Sequence, residues 1–458
     1  MITALRATTL LGEAVAAAPR ASHAAFERAG YAILDTVGVT LVGSREPAAR
    51  IVARTLQSSA GSRLIGTSLR APAPDAALAN GTSAHALDFD DVSPALVGHP
   101  SAVLVPALLA VGDEIGASGE AILDAYVVGF EVAARLGRAL NPLHYNRGWH
   151  ATATLGAPAA AAAVAHVLRL SRPQVQAAIS IAGSLAGGMR VSFGSMVKPL
   201  HAGHAARTGV LAARLAEGGF DASAELFEAP RGFGDLFGED VDWDRAFANW
   251  SWSEPEILSS GIQVKPYPSC AMTHTAIASM LSLRDSVSRV EQAKRSTWTI
   301  DRIECRVTPV TPQILIHSRP QTGLQAKFSM EYCLAVTLLD GQPGLAQFTD
   351  ERVKQSDVQS LLRRVEIEAD PTLVEDLTRG RSPVVVSIRL SNGQRLQATR
   401  EIPPGSPEEP LTPAQLEQKF LSNATPLLGE RRAVDAMTAF NRLQQADSVS
   451  RVLDCVCG

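Results

Sequence analysis

Residues 85–100 read HALDFDDVSPALVGHP, which puts His85, Asp88, Asp90, Asp91 and His99 within fifteen positions of a chain where 19% of residues are charged. Carboxylates next to imidazoles are the usual material of acid–base catalysis, because a carboxylate orients the ring and sets its protonation state. Asp88, Asp90 and Asp91 cannot all point the same way on a helix. At least one is expected to face inward, while another meets solvent or caps a helix. Gly98 and Pro100 break the chain before the apolar run of residues 102–111, so the stretch reads as a polar loop framed by buried helices. The plainer alternative makes the aspartates caps and the histidines satisfied surface groups.

Four further segments carry related chemistry. RGWHATATLG places His150 just ahead of an alanine-rich run, and RVSFGSMVKPLHAGH holds Lys198, followed by Pro199, between apolar helical stretches. VKPYPSC repeats the Lys-Pro pair at Lys265, and PQTGLQAKFSMEY contains Lys327 near a glycine turn. Buried lysines call for a negative partner, and a substrate carboxylate is one. Lys327 reads as an ordinary solvated lysine. No G-x-S-x-G elbow, Walker loop or G-x-G-x-x-G follows a strand, so nucleotide chemistry has no support. Asp90, Asp91 and His99 lack tight metal-ligand spacing, and no metal and no cofactor are expected. Two lysines, two histidines and an aspartate suit a cofactor-free site in which cations hold carboxylates and imidazoles move protons.

The elements that must position these groups are mostly helical. Periodicity predicts helices over residues 24–41, 119–140, 154–170, 171–184 and 201–217, many of them alanine-rich and apolar on nearly all faces. Such helices are central or meet a second subunit. Residues 218–256 turn glycine- and aspartate-rich and read as irregular. Strand alternation then appears at 300–307, 365–369, 384–390 and 395–401, with Asn392-Gly393 as a hairpin signal. Helices are expected over 276–283, 329–339 and 350–364, and again from Thr412, with Pro413 in the first turn. The expected fold is mainly α: a large all-α helical domain (1–268), an inserted smaller α+β lid domain (269–404), and a C-terminal return to the helices (405–458).

A net charge of −4 gives no basic footprint, so no nucleic-acid partner is expected. Glu13 interrupts the N-terminal apolar run, against a cleaved leader, and neither uncharged stretch (92–112, 148–168) is apolar enough for a membrane. Five cysteines, an odd number, fit a reduced cytoplasmic protein. The terminal Cys455/Cys457 pair has no histidine cluster beside it to make a zinc site.

HALDFDDV with GHPS, then GWHATATLGAP, MVKPLHAGHAA, VKPYPSC and AKFSMEYCLAVTLLDG, together resemble the MmgE/PrpD family over most of the chain. That family includes 2-methylcitrate dehydratases, cis-aconitate decarboxylases and iminodisuccinate epimerases. The resemblance implies a homodimer, with the site in the cleft between the helical domain and its lid. Carried over motif by motif, it implies site residues Asp88, His99, His150, Lys198 and Lys265. It leaves Asp90 and Asp91 to capping or loop structure. Val92 follows D-F-D-D where the decarboxylases carry a hydroxyl residue, which reads against decarboxylation, and W-H-A-T-A-T departs from the bacterial methylcitrate dehydratases. The expected function is a dehydratase-type lyase acting on a small di- or tricarboxylate. An epimerase, a decarboxylase and a non-catalytic carboxylate-binding protein remain as alternatives, and the acid and base roles of the two histidines stay open.

Overall fold

The structure is a computed structural model that describes residues 6–56, 60–239, 241–294 and 300–457, the side chains of 289–294 excepted. It divides into two compact units: residues 1–192, 196–264 and 412–458 form the first, and 193–195 with 265–411 the second. Helices dominate, as the periodicity requires, and among the described residues strands are confined to a four-stranded sheet and a two-stranded ribbon. No helix among the described residues is long and apolar enough to cross a membrane.

In the first unit the N-terminal stretch forms helix Ala7–Ala16, its first five residues lying outside the described ones. Local signals set the longer helices. Ser22 caps His23–Gly43 by accepting from the Ala25 N–H, Ser118 caps Gly119–Leu140 through Ala121, and Ser171 with Gln174 forms a capping box on Arg172–Ser184. The alanine-rich segment is buried without a break from Gly156 to Ala165, so helix Gly156–Val167 lies at the centre of the core. The expected 154–170 helix is shorter than its pattern, because a separate turn, Ala151–Thr154, precedes it. The expected 201–217 helix begins earlier, at Val197, which puts Lys198 and Pro199 in its first turn. The C-terminal return is helix Pro413–Leu428, capped by Thr412 and Gln415.

Small residues bring the site-bearing helices together. A side chain on Gly203 would meet the Leu78 carbonyl oxygen at 2.3 Å, and one on Gly81 would meet the Gly203 Cα at 2.8 Å. Helices Ala73–His85 and Val197–Glu217 can therefore cross in contact only while both positions are glycine. His85 ends one of these helices and Lys198 begins the other.

In the second unit the sheet runs Val365–Ala369, Ile300–Val307, Val384–Leu390, Arg395–Arg400. The first pair is parallel and the other two are antiparallel, with Cys305 opposite both Ile367 and Val386. Gly393, with φ +84°, makes the hairpin turn. Helices His274–Lys294 and Met330–Asp340 pack on the sheet. The expected 350–364 helix is two short helices, Asp350–Val353 and Ser356–Leu362. Its buried residues Val353 and Val358 are five apart, off the three-to-four spacing of one face, and the extended Gln355 resets the register.

Candidate active site

The stretch from His85 to Pro100 is a buried loop in the first unit. His85 closes helix Ala73–His85, and Ser101 opens helix Ser101–Ile115. Between them the backbone N–H of Val92 donates to Gln263 and the N–H of Ser93 to Gly98, at 2.9 and 2.8 Å. Asp88 takes a left-handed conformation (φ +51°), which costs a non-glycine residue roughly 1–2 kcal/mol. Strain of this kind persists only where its surroundings impose it.

The side chains form a chain of contacts. Lys198 Nζ lies 3.0 Å from Asp88 Oδ1 and 3.0 Å from His85 Nε2. An ammonium only donates, so His85 Nε2 must accept, and the His85 proton sits on Nδ1. That Nδ1–H donates to Asp90 Oδ2 at 2.8 Å. Asp90 Oδ2 is also 3.2 Å from His99 Nδ1, and His99 Nε2 lies 3.8 Å from Asp88 Oδ1. The His85 ring meets His99 edge-on at 4.5 Å and stacks on His150 at 5.7 Å. His150 Nδ1 lies 3.1 Å from His201 Nδ1.

Electrostatics divide the labour among these groups. Burial drives the His85 pKa down to about 3 against the pull of Asp90, so this ring is neutral at physiological pH. Burial also takes His150 well below its ordinary value, with His85, Lys198 and His201 adding to the effect. Burial alone would raise Asp90, but His85 and His99 outweigh it and hold the carboxyl well below the usual range. Asp91 behaves in the opposite way. Burial pushes it up to about 8, and it sits against Ser101, whose hydroxyl is 2.6 Å from the Tyr126 hydroxyl.

The His150 segment is held from below by His144. Its Nδ1–H donates to the Phe237 carbonyl at 2.7 Å, and its Nε2 is 2.6 Å from the Thr154 hydroxyl. Gly188, at φ +134°, accepts from the His150 N–H at 3.0 Å, and a side chain there would press on Ala153. On the other side Thr152 accepts from the His99 N–H at 3.1 Å, and a side chain on Gly98 would meet the Thr152 nitrogen at 2.9 Å. Both histidine segments are thus seated on one short turn.

Asp88, His99, His150 and Lys198 therefore come together in the first unit. Lys265 opens the second unit, where it is fully buried. Asp91 is not the cap of helix Ser101–Ile115, whose N-cap is Pro100, but it does hold the start of that helix by accepting from the Ser101 N–H at 3.3 Å, whereas Asp90 faces two imidazoles. Lys327 is not a solvated lysine. It is 4% exposed, donates to the Pro268 carbonyl at 2.9 Å and lies 4.9 Å over the Phe348 ring. Sequence reasoning left out His85 and Asp90 as site members and did not single out His201. The spacing of Lys198 and His201, three apart on one helix, was a signal for the last.

His85, Asp88, Asp90 and His99 offer donor atoms within 4.8 Å of one another, enough by type for a cation. The Lys198 ammonium lies 3.0 Å from two of those four residues and already brings positive charge to the cluster. What the arrangement supplies directly is a neutral, oriented imidazole, an ionised carboxylate, a fixed cation, and two further imidazoles at the edge. That set can bind a carboxylate and move a proton at the adjacent carbon.

Comparison with known proteins shows the family of the chain. The family model of the MmgE/PrpD N-terminal domain matches residues 11–246, and that of the C-terminal domain matches residues 267–443. The chain is 27% identical to the cis-aconitate decarboxylase of Aspergillus terreus, over 94% of this chain and 91% of the relative. It is 28% identical to that of Homo sapiens, over 88% and 84%. It is 24% identical to the 2-methylcitrate dehydratase of Escherichia coli (strain K12), over 78% and 76%. With this cluster of lysine, aspartates and histidines, and with a family match along nearly all of its length, the chain belongs to the MmgE/PrpD family of enzymes.

Proposed function

We propose that the protein is a lyase of the dehydratase type. It would remove or add water at a small tricarboxylate by proton transfer at the carbon alpha to a carboxylate, using the chain's own side chains. The observation that carries this reading is the Lys198 ammonium, held by Asp88 and His85 beside His99 and His150. Lys198 would hold the substrate carboxylate and the enolate-like charge that develops on it. Lys265 is proposed as a second carboxylate-binding cation on its motif alone. One of His99 and His150 would take the α-proton, and the other would protonate the departing hydroxyl. Asp88 would fix Lys198, and Asp90 would fix His85 and His99.

Dehydration needs two separate proton carriers, and the site offers two imidazole groupings, His99 on Asp90 and His150 on His201. Decarboxylation, which needs one proton delivered to carbon, is the second reading. The decarboxylase names of relatives that match over most of the chain favour it, and a homodimer is the assembly the family resemblance implies.

Turnover of 2-methylcitrate, citrate, cis-aconitate and iminodisuccinate, followed by NMR in deuterated water, separates the readings. Alkene formation from a hydroxy acid indicates dehydration, loss of carbon dioxide indicates decarboxylation, and exchange without net conversion indicates epimerisation. His150→Ala is expected to cost at least about a hundredfold in rate. Wild-type turnover by that variant would remove His150 from any acid–base role.

A further inference from the structure

A second buried ion pair lies behind the site. Asp35, on helix His23–Gly43, and Lys419, on helix Pro413–Leu428, meet at 2.7 Å, with side chains 1% and 7% exposed. Gly38 lets these two helices close on each other, since a side chain there would meet the Phe420 ring at 2.9 Å. Lys419 Nζ also donates to the Phe89 carbonyl oxygen at 2.8 Å and stands 4.0 Å over the Phe89 ring. Phe89 separates Asp88 from Asp90, and its carbonyl belongs to the peptide plane that carries the Asp90 nitrogen.

A buried ion pair seldom stabilises a fold more than a well-packed apolar pair of the same volume. Its placement here needs another reason, and Phe89 supplies one. The neighbouring Asp88 is held at φ +51°, a conformation that requires outside support. Helix Ala73–His85 fixes the loop at one end and helix Ser101–Ile115 at the other. Lys419 reaches the loop at Phe89, four residues past His85, from 330 residues away.

We infer that Lys419, held by Asp35, is a positioning residue: it clamps the Phe89 carbonyl and so sets where Asp88 and Asp90 present their carboxylates to Lys198, His85 and His99. The C-terminal helical return is then part of the active site's construction. Burial pulls the Lys419 pKa below its ordinary value, and the nearby Asp35, Asp90 and Asp91 oppose that pull.

The inference rests on the proposed acid–base reaction for its kinetic readout, and a spectroscopic readout stands apart from it. Two double variants decide the matter. Asp35→Leu/Lys419→Met replaces the pair by apolar side chains and deletes the bond to Phe89. Asp35→Asn/Lys419→Gln removes both charges but leaves an amide that can donate to the Phe89 carbonyl. The first is expected to lose about a hundredfold in kcat, as for a misplacement on the order of 1 Å, with KM little changed. It should also lose or shift the downfield proton resonance of the His85–Asp90 hydrogen bond, assigned by its absence in His85→Gln. The second should keep the resonance and most of the turnover.

A folded Asp35→Leu/Lys419→Met protein with wild-type kcat and an unmoved resonance would overturn the clamp. So would loss of both in a folded Asp35→Asn/Lys419→Gln. If the apolar variant does not fold, the amide variant alone carries the test. If the wild type turns over none of the four carboxylates, the proposed function fails while the resonance still decides the clamp.

Discussion

Asp90→Asn is the sharpest test of the site's electrostatics. The substitution conserves volume, so the packing of the fully buried side chain is unchanged, but it removes a carboxylate that meets two imidazoles, at 2.8 Å from His85 and 3.2 Å from His99. A hydrogen bond to a charged partner contributes roughly 1.5–3 kcal/mol, so two such contacts set a ceiling near 3–6 kcal/mol. At about 1.4 kcal/mol per factor of ten, that ceiling is a loss on the order of a hundredfold to ten-thousandfold. The carboxamide oxygen introduced by the substitution still accepts the His85 Nδ1–H as a neutral bond, which favours the lower figure, about a hundredfold in kcat/KM. The assay is steady-state turnover of whichever carboxylate the product screen identifies, together with solvent deuterium incorporation at its α-carbon. Both should fall together if Asp90 serves the proton-transfer step. An Asp90→Asn protein that melts like wild type and turns over within about threefold of it would refute the reasoning, and Asp90 would revert to a loop residue.

Asp91→Asn tests the raised carboxyl. Because burial takes its pKa to about 8, the folded protein keeps a proton that the unfolded chain releases near 3.8. The native state then binds more protons between those values, and stability falls as pH rises through that window, by up to roughly 1.4 kcal/mol per pH unit. Asparagine has no proton to lose, so the variant should gain on wild type from pH 5 to pH 8 by a few kcal/mol at most. The lowered His85 and His150, which act in the opposite direction, are common to both proteins and cancel. Melting temperatures that differ by a constant across this range would contradict the assignment. Gly203→Ala places a side chain 2.3 Å from the Leu78 carbonyl and 2.4 Å from the Thr82 hydroxyl, and forcing the helices apart should cost about 1–3 kcal/mol in urea unfolding. A variant as stable as wild type would show that the Gly81–Gly203 crossing does not set the His85–Lys198 approach.

Patterns that act over a few residues were legible without coordinates. Alternation placed the strands Ile300–Val307, Val365–Ala369 and Val384–Leu390, and Thr412 with Pro413 marked the start of the last long helix. These depend on side-chain period, caps and fixed dihedrals, which neighbouring residues determine. The break between Val353 and Ser356 was missed because each half still carries helical spacing and only the offset between them differs. The unusual gathering of aspartates and histidines around residues 85–99 was also visible as composition.

What each of those groups does was decided only in three dimensions. Asp90 and Asp91 are adjacent in sequence and alike in chemistry, yet one faces His85 and His99 and is held ionised while the other sits against Ser101 and is pushed toward its neutral form. Lys198 meets His85 across 113 positions, His150 meets His201 across 51, and Lys419 reaches Phe89 across 330. No local period encodes such separations. They follow from where helices can cross, which here depends on single glycines such as Gly81, Gly203 and Gly38. The sequence by itself determined which chemical groups this protein has and which short elements carry them. Close packing of those elements determined which groups are desolvated together, and desolvation is what turns an aspartate, a lysine and neutral imidazoles into the set we propose holds a carboxylate and moves a proton.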